Sequence, residues 1–204
     1  MSAVLTAKQQ KKQRLLDQGV ELLLNKGYHA SGLKEILDAV QIPKGSFYSY
    51  FESKEHYAVA VIGHYIDPYV QRLSDLLNQP DDDGLTALRR YYDELIAAIE
   101  QNGYTGGCLL GNLMAEIGGA NPICRAALAD AVNRYRDLQQ TALERGQQRG
   151  VARSDKAARD MADLLLNSWQ GALLRMKIEQ STAPLQTCRR ELLDNFFSAA
   201  AARR

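Results

Sequence analysis

The chain is predicted to be all-α on three observations. Apolar residues recur at helical spacing from Leu15 to Phe197. The stripes are cut by glycine, proline and Asx-rich breaks near residues 27, 43, 79–84, 102–107, 118–122 and 150. A length of 204 residues with 46% hydrophobic and 24% charged side chains suits one sizeable core or two small ones. No apolar run approaches the roughly 18 residues a membrane span needs, and the N-terminus lacks an apolar leader core, so a cytoplasmic location is expected.

Residues 1–10 are polar without a periodic apolar set and are expected to form a loose arm carrying Lys8. From Lys11 onward, Leu15, Leu16, Gly19, Val20, Leu22, Leu23 and Leu24 make the buried face of a first helix that stops at Gly27, and Tyr28 packs back on it. A second helix of about ten residues follows, with Ser31 as its N-cap and Leu33, Ile36 and Leu37 inside. It must stop by about Ile42, because Pro43 fits only the first turn of a new helix. In that third element, residues 44–51, Phe47 and Phe51 face inward and leave Lys44, Ser46, Tyr48 and Tyr50 as phosphate and base-edge donors. Gly45, without a Cβ, lets a DNA strand approach the helix start, and the whole suits entry into a major groove. Ser31, Lys34 and Lys54 are expected to hold mainly phosphate.

Gly27-Tyr28, Ile36 and the run PKGSFYSYFESKE at residues 43–55 closely resemble the signature of the TetR family of transcriptional regulators. The resemblance covers roughly the first quarter of the chain. It implies an N-terminal three-helix helix-turn-helix DNA-binding domain, here residues 1–53, and a C-terminal helical effector-sensing and dimerisation domain, residues 54–204. Two positions depart from the family pattern. Gln41 stands where a turn glycine is usual, which implies a slightly different turn, and Tyr50 stands where histidine is common, which leaves base preference open.

Ser53 reads as the N-cap of a fourth helix, residues 54–78, striped by Tyr57, Val61, Ile62, Tyr65, Ile66, Tyr69 and Leu73, with a kink or interruption expected at Pro68. Further helices are expected at about 85–101, 108–117, 122–149, 155–180 and 184–201. In the family resembled, the last pair meets its twin in a four-helix bundle, which implies a homodimer through the two C-terminal helices; packing of these stripes within one subunit is the alternative.

Net charge is only +1, and residues 1–56 carry eight Lys/Arg against six Asp/Glu, so affinity for operator DNA must come from a local cluster: Lys8, Lys11, Lys12, Arg14, Lys44 and Lys54. Cys108, Cys124 and Cys188 fit no zinc spacing, and in a reducing compartment they should be thiols. Cys108 stands apart: in Thr105-Gly106-Gly107-Cys108-Leu109-Leu110 it lies at a helix start among glycines, where the helix dipole favours thiolate. An electrophile-responsive subgroup of TetR-like repressors has a similar Gly-Cys-Leu start and a similar Gly-Ala-x-x-x-x-Lys segment, here ending at Lys177, so the resemblance makes Cys108 and Lys177 sensor candidates. The alternative is a buried structural cysteine and a reversible apolar or aromatic effector held by Tyr65, Tyr92, Leu113, Met114 and Trp169.

His56 and His64 lack a third ligand at metal spacing, and no catalytic triad, phosphate loop or paired carboxylate stands out, so no metal, cofactor or enzymatic activity is expected. The competing class is a helical interaction or enzyme module whose helix-turn-helix is merely structural.

Overall fold

A computed structural model describes residues 6–80, 82–104 and 107–203. Of the described residues, 78% are helical. Among the described residues there is no strand, only an isolated bridge between Ala152 and Ser198. The helices are α1 (Ala7–Ala30), α2 (Leu33–Ala39), α3 (Lys44–Phe47), α4 (Lys54–Leu77), α5 (Leu85–Gln101), α6 (Leu109–Ile117), α7 (Pro122–Gln148), α8 (Ala158–Glu179) and α9 (Ala183–Arg189). No described helix is long and apolar enough to cross a membrane.

Packing groups the chain into two compact units: residues up to Asp67 with Cys108–Ala131, and Pro68–Gly107 with Val132 onward. This differs from the expected division at residue 53. The first unit takes in the start of the fourth helix, Lys54–Leu77, and α6, although far away in sequence, packs against α1. The expected interruption at Pro68 is also absent. The proline leaves the helix without the bond that an N–H at residue 68 would have made to the His64 carbonyl.

In the first unit α1 starts four residues earlier than the apolar stripe suggests. Thr6 and Gln9 form a capping box, so residues 7–10 are helical; residues 1–5 of the expected arm lie outside the described residues. Gly27 breaks the helix at φ 79°. Ser31 does not cap α2, whose N-cap is Gly32; its side chain donates instead to the Gly27 carbonyl at 2.5 Å. The second helix is therefore seven residues long rather than about ten. Gln41 takes a left-handed φ of 54°, so the turn is the kind a glycine would make, with a glutamine in it. The recognition element is shorter than expected: Lys44–Phe47 is helical, and Tyr50 and Phe51 follow in turns bonded to the Phe47 carbonyl at 2.8 and 3.0 Å.

Beneath it, Phe47, Phe51 and Tyr57 pack with ring centroids 4.9–5.6 Å apart. The Tyr57 hydroxyl donates to the Leu15 carbonyl at 2.6 Å, and Gly19 makes room for it: a Cβ there would lie 2.2 Å from that oxygen. Ser53 caps α4 as expected, its hydroxyl accepting from the His56 N–H at 3.3 Å.

The second unit is built on α5, the later part of α7, α8 and α9, with Leu85, Leu88, Tyr91, Tyr92, Leu143, Leu165, Met176 and Leu193 fully or almost fully buried. Beyond α9 the chain widens into a π-helical stretch, Arg190–Phe196, and ends in a 3-10 turn, Ala199–Arg203, rather than continuing as one regular helix. Gly84 caps α5 at φ 81°, where a Cβ would lie 2.0 Å from the Ala142 carbonyl oxygen. A Gly84→Ala protein should therefore be destabilised by about 2–4 kcal/mol, through backbone strain and a clash with main chain that cannot move aside. Urea unfolding checks this; an unchanged midpoint would refute the clash.

Candidate nucleic-acid interface and sensor

The first turn of α3 faces solvent. Lys44, Gly45 and Ser46 are exposed, and Tyr48 keeps 56% of its surface although its ring edge touches Phe47. A Cβ on Gly45 would meet nothing within 4 Å, so no internal packing demands glycine there. Tyr50 is half-buried with the Lys8 ammonium 5.9 Å from its ring, and Lys12 lies 5.6 Å from the Phe51 ring. These lysines thus stay close to the recognition element without a carboxylate partner in the contact. A cleft of about 180 Å³ opens between α1 and α3, lined by Lys11, Arg14, Gln41, Ser46 and Tyr50 among others. It gathers cations, amide and hydroxyls on one side of the unit, as a phosphate backbone requires.

Two expected phosphate contacts are placed otherwise. Ser31 is fully buried, its hydroxyl spent on the Gly27 carbonyl, and offers no surface to DNA. The Lys54 ammonium donates to the Tyr28 carbonyl at 2.9 Å and lies 4.2 Å from the Tyr28 ring. Burial there lowers its pKa, and the Tyr28 phenol is pushed up to about 12 by burial and then by the Glu55 charge. Lys54 ties the start of α4 to the end of α1. Lys34 is exposed, as a phosphate contact needs.

The residue sequence reasoning missed is Glu116. Its carboxylate, at the C-terminal end of α6, accepts from the backbone N–H of Tyr28 at 2.8 Å and of His29 at 3.2 Å. The same oxygens fill the space over Gly27, where a Cβ would come within 2.3 Å of Oε1. A carboxylate in a last helical turn opposes the helix dipole, and that misfit was the available signal. Here the donors are the N–H groups freed by the break at Gly27.

Cys108 occupies the N-cap of α6, half-buried, so the nine-residue helix begins at the cysteine and ends next to Glu116. Thr105 and Gly106 of the same motif lie outside the described residues. None of the three cysteines is in a disulfide. Burial raises the thiol pKa of Cys124, and that of Cys188 to about 11. Lys177 is exposed in the last turn of α8, in the second unit. The five expected pocket residues divide likewise. Tyr65, Leu113 and Met114 belong to the first unit, the last of them 41% exposed. Tyr92 and Trp169 belong to the second, packed edge-to-face at 4.6 Å. His64 pairs with Asp17 at 2.7 Å, and among the described residues no group of three metal-ligating side chains gathers.

Comparison with known proteins agrees with this geometry. Residues 15–61 match the family model described as bacterial regulatory proteins, tetR family. Residues 84–192 match the tetracyclin repressor-like C-terminal domain. The chain is 33% identical over 174 residues to the HTH-type transcriptional repressor DhaR of Mycobacterium sp. (strain GP1), covering 85% of this chain and 86% of that one. It is 33% identical over 175 residues to the HTH-type transcriptional repressor NemR of Escherichia coli K12, covering 86% and 88%. The crystal structure of the reduced form of E. coli NemR superposes with a TM-score of 0.82 at 31% identity, over 90% of this chain and 95% of that one.

Proposed function

The chain belongs to the TetR family of transcriptional regulators, and from that premise we propose that it is a repressor that binds a palindromic operator as a homodimer and lets go when a small molecule or reactive electrophile reaches it. The observation that carries the DNA-binding reading is the solvent-facing Lys44–Tyr48 turn set rigidly on the Phe47, Phe51 and Tyr57 cluster. Lys44, Ser46, Tyr48 and Tyr50 carry recognition at the groove, Lys44 through the phosphate beside it, Gly45 admits the strand, and Lys34, Lys11 and Arg14 hold further phosphate.

Dimerisation is supported by the outer face of α8. Leu164, Leu174 and Ile178 are 40%, 62% and 83% exposed there, with Gly171 open between them. Large apolar side chains on one helical face, beside a groove of about 740 Å³ that includes Leu164, Leu192 and Phe196, suit a second copy. Two recognition helices must stand about 34–36 Å apart to meet successive major grooves, and a two-fold interface sets that distance.

The signal reading rests on α6. Modification of Cys108 at one end would shift the helix whose other end, through Glu116, holds the junction between α1 and α2. A tilt there changes the recognition-helix spacing and favours the released state. The similarity to NemR, one crystal structure of which is of a reduced form, supports a thiol route. In this reading Lys177, exposed in the last turn of α8, is the second sensor candidate. The second reading, a reversible ligand with Cys108 purely structural, is favoured by the buried aromatic pair Tyr92 and Trp169.

The test is operator retention by wild type and Cys108→Ser, each with and without a mild thiol oxidant, on DNA upstream of the protein's own gene. Release of wild type alone is the expected result. Retention of both would sink thiol sensing and leave the reversible ligand, while no sequence-specific, salt-dependent retention at all would sink the repressor reading.

A further inference from the structure

Gln139 is a side chain that the fold does not explain. It lies on α7 in the buried series Leu128, Ala131, Tyr135, Gln139, Ala142 and Leu143, at the spacing of a core stripe, and it is fully inaccessible. Both its Nε2 and its Oε1 are buried without a hydrogen-bond partner. An amide left unpaired away from water costs about 1–3 kcal/mol, and a leucine of similar volume would fill the position at no such cost. Buried polar groups in native proteins are satisfied in about nine cases out of ten, so an amide with no partner in the chain at either atom is open to one from outside it, a water or a ligand.

Its surroundings in the second unit narrow the partner. Tyr135 lies one helical turn earlier on the same face of α7, and Tyr91 packs against it with ring centroids 6.0 Å apart. Tyr91 touches Tyr92 at 5.5 Å, and Tyr92 meets Trp169 at 4.6 Å, so the rings form one continuous aromatic cluster. None of these side chains carries a charge. Burial pushes the phenols of Tyr92 and Tyr135 well above the ordinary tyrosine value, so both stay neutral. An anionic ligand would find no counter-charge among them.

We propose that Gln139 is the polar contact of an interior effector site that takes a neutral, planar small molecule presenting a hydrogen-bond acceptor next to a donor, the pattern of a carboxamide or lactam. The side-chain amide pairs with such a group through two parallel hydrogen bonds, N–H donating in each direction, while the aromatic cluster takes the apolar body. This rests on the reading of the second unit as effector-sensing and names the ligand chemistry.

The experiment uses the full chain and benzamide as probe, with benzoate as its charged counterpart, on wild type, Gln139→Leu and the unbranched Gln139→Met. Without additive, the two variants should melt at or above the wild-type temperature, since each removes an unpaired buried amide. Benzamide at ten times its Kd should raise the wild-type midpoint by about 3 °C and leave both variants unmoved, and benzoate should shift none of the three. Variants that both melt several degrees lower, or fail to fold, would show the amide to be a structural contact and overturn the proposal. So would a benzamide shift equal in all three proteins, a shift in none, or a benzoate shift matching that of benzamide. Operator binding by untreated wild type is measured in parallel: its absence would overturn the repressor reading, whereas a failed benzamide result beside intact operator binding overturns the ligand site alone.

Discussion

The Lys44→Ala protein is expected to bind operator roughly a hundredfold more weakly than wild type, with the slope of log affinity against log salt concentration reduced by about two. Lys44 opens the recognition helix and is exposed, so its ammonium is available to the groove. In a two-fold complex each substitution acts at both half-sites. A loss of about 1–2 kcal/mol per lysine, doubled, gives a factor of that size, and two phosphates left with their counterions give the change in slope. Mobility shifts at several salt concentrations measure both quantities. A hundredfold loss confined to one operator base pair with an unchanged slope would mean that Lys44 reads a base and not the backbone. Lys54→Ala serves as the internal contrast. Because its ammonium is held by the Tyr28 carbonyl and ring, its loss should lower thermal stability and leave the salt slope near the wild-type value.

The second large effect concerns Glu116. Glu116→Ala should lower the melting temperature by about 4–8 °C, the equivalent of about 2 kcal/mol, because hydrogen bonds to a charged acceptor are worth about 1.5–3 kcal/mol and the variant leaves two N–H groups without it. Amide hydrogen exchange should accelerate at Tyr28 and His29 more than at Leu15 or Phe47, which belong to the core beneath. Glu116→Gln retains one neutral acceptor and should recover about half of the loss. If the thiol signal travels along α6, Glu116→Ala should also blunt oxidant-driven release of DNA. Unaltered exchange at Tyr28 and His29 would remove the carboxylate from that role.

What could be read from the residues followed the strength of local signals. The fifth helix matches its expected span, Leu85–Gln101, because Gly84 and the polar run before it stop any earlier helix and Asn102 with Gly103 end this one. Phe47 and Phe51 are buried as their four-residue spacing demands, and Ser53 caps α4 because cap and apolar stripe lie side by side in sequence. The failures share a cause in partners far away along the chain. Ser31 looked like a cap until the break at Gly27 supplied a nearer, buried acceptor. Lys54 has a partner 26 residues back, the Tyr28 carbonyl, that its own neighbourhood in sequence does not show. The grouping of α6 with the first unit from residue 108 onward has no local pattern behind it. The π-helical stretch at Arg190–Phe196 carries no glycine or proline to announce it. Gln139, like Glu116, was legible and overlooked, a polar residue in a core register.

The reach of Glu116 also fixes an order of events during synthesis. Its carboxylate meets residue 28 across a separation of 88 positions, so the DNA-reading helices leave the ribosome long before the group that braces their junction. Until α6 has emerged as well, Tyr28 and His29 have only water for their N–H groups, and the nascent recognition surface is a looser ensemble. A chain released between α4 and α6 would thus carry all the residues proposed to touch DNA and lack the carboxylate that braces their junction.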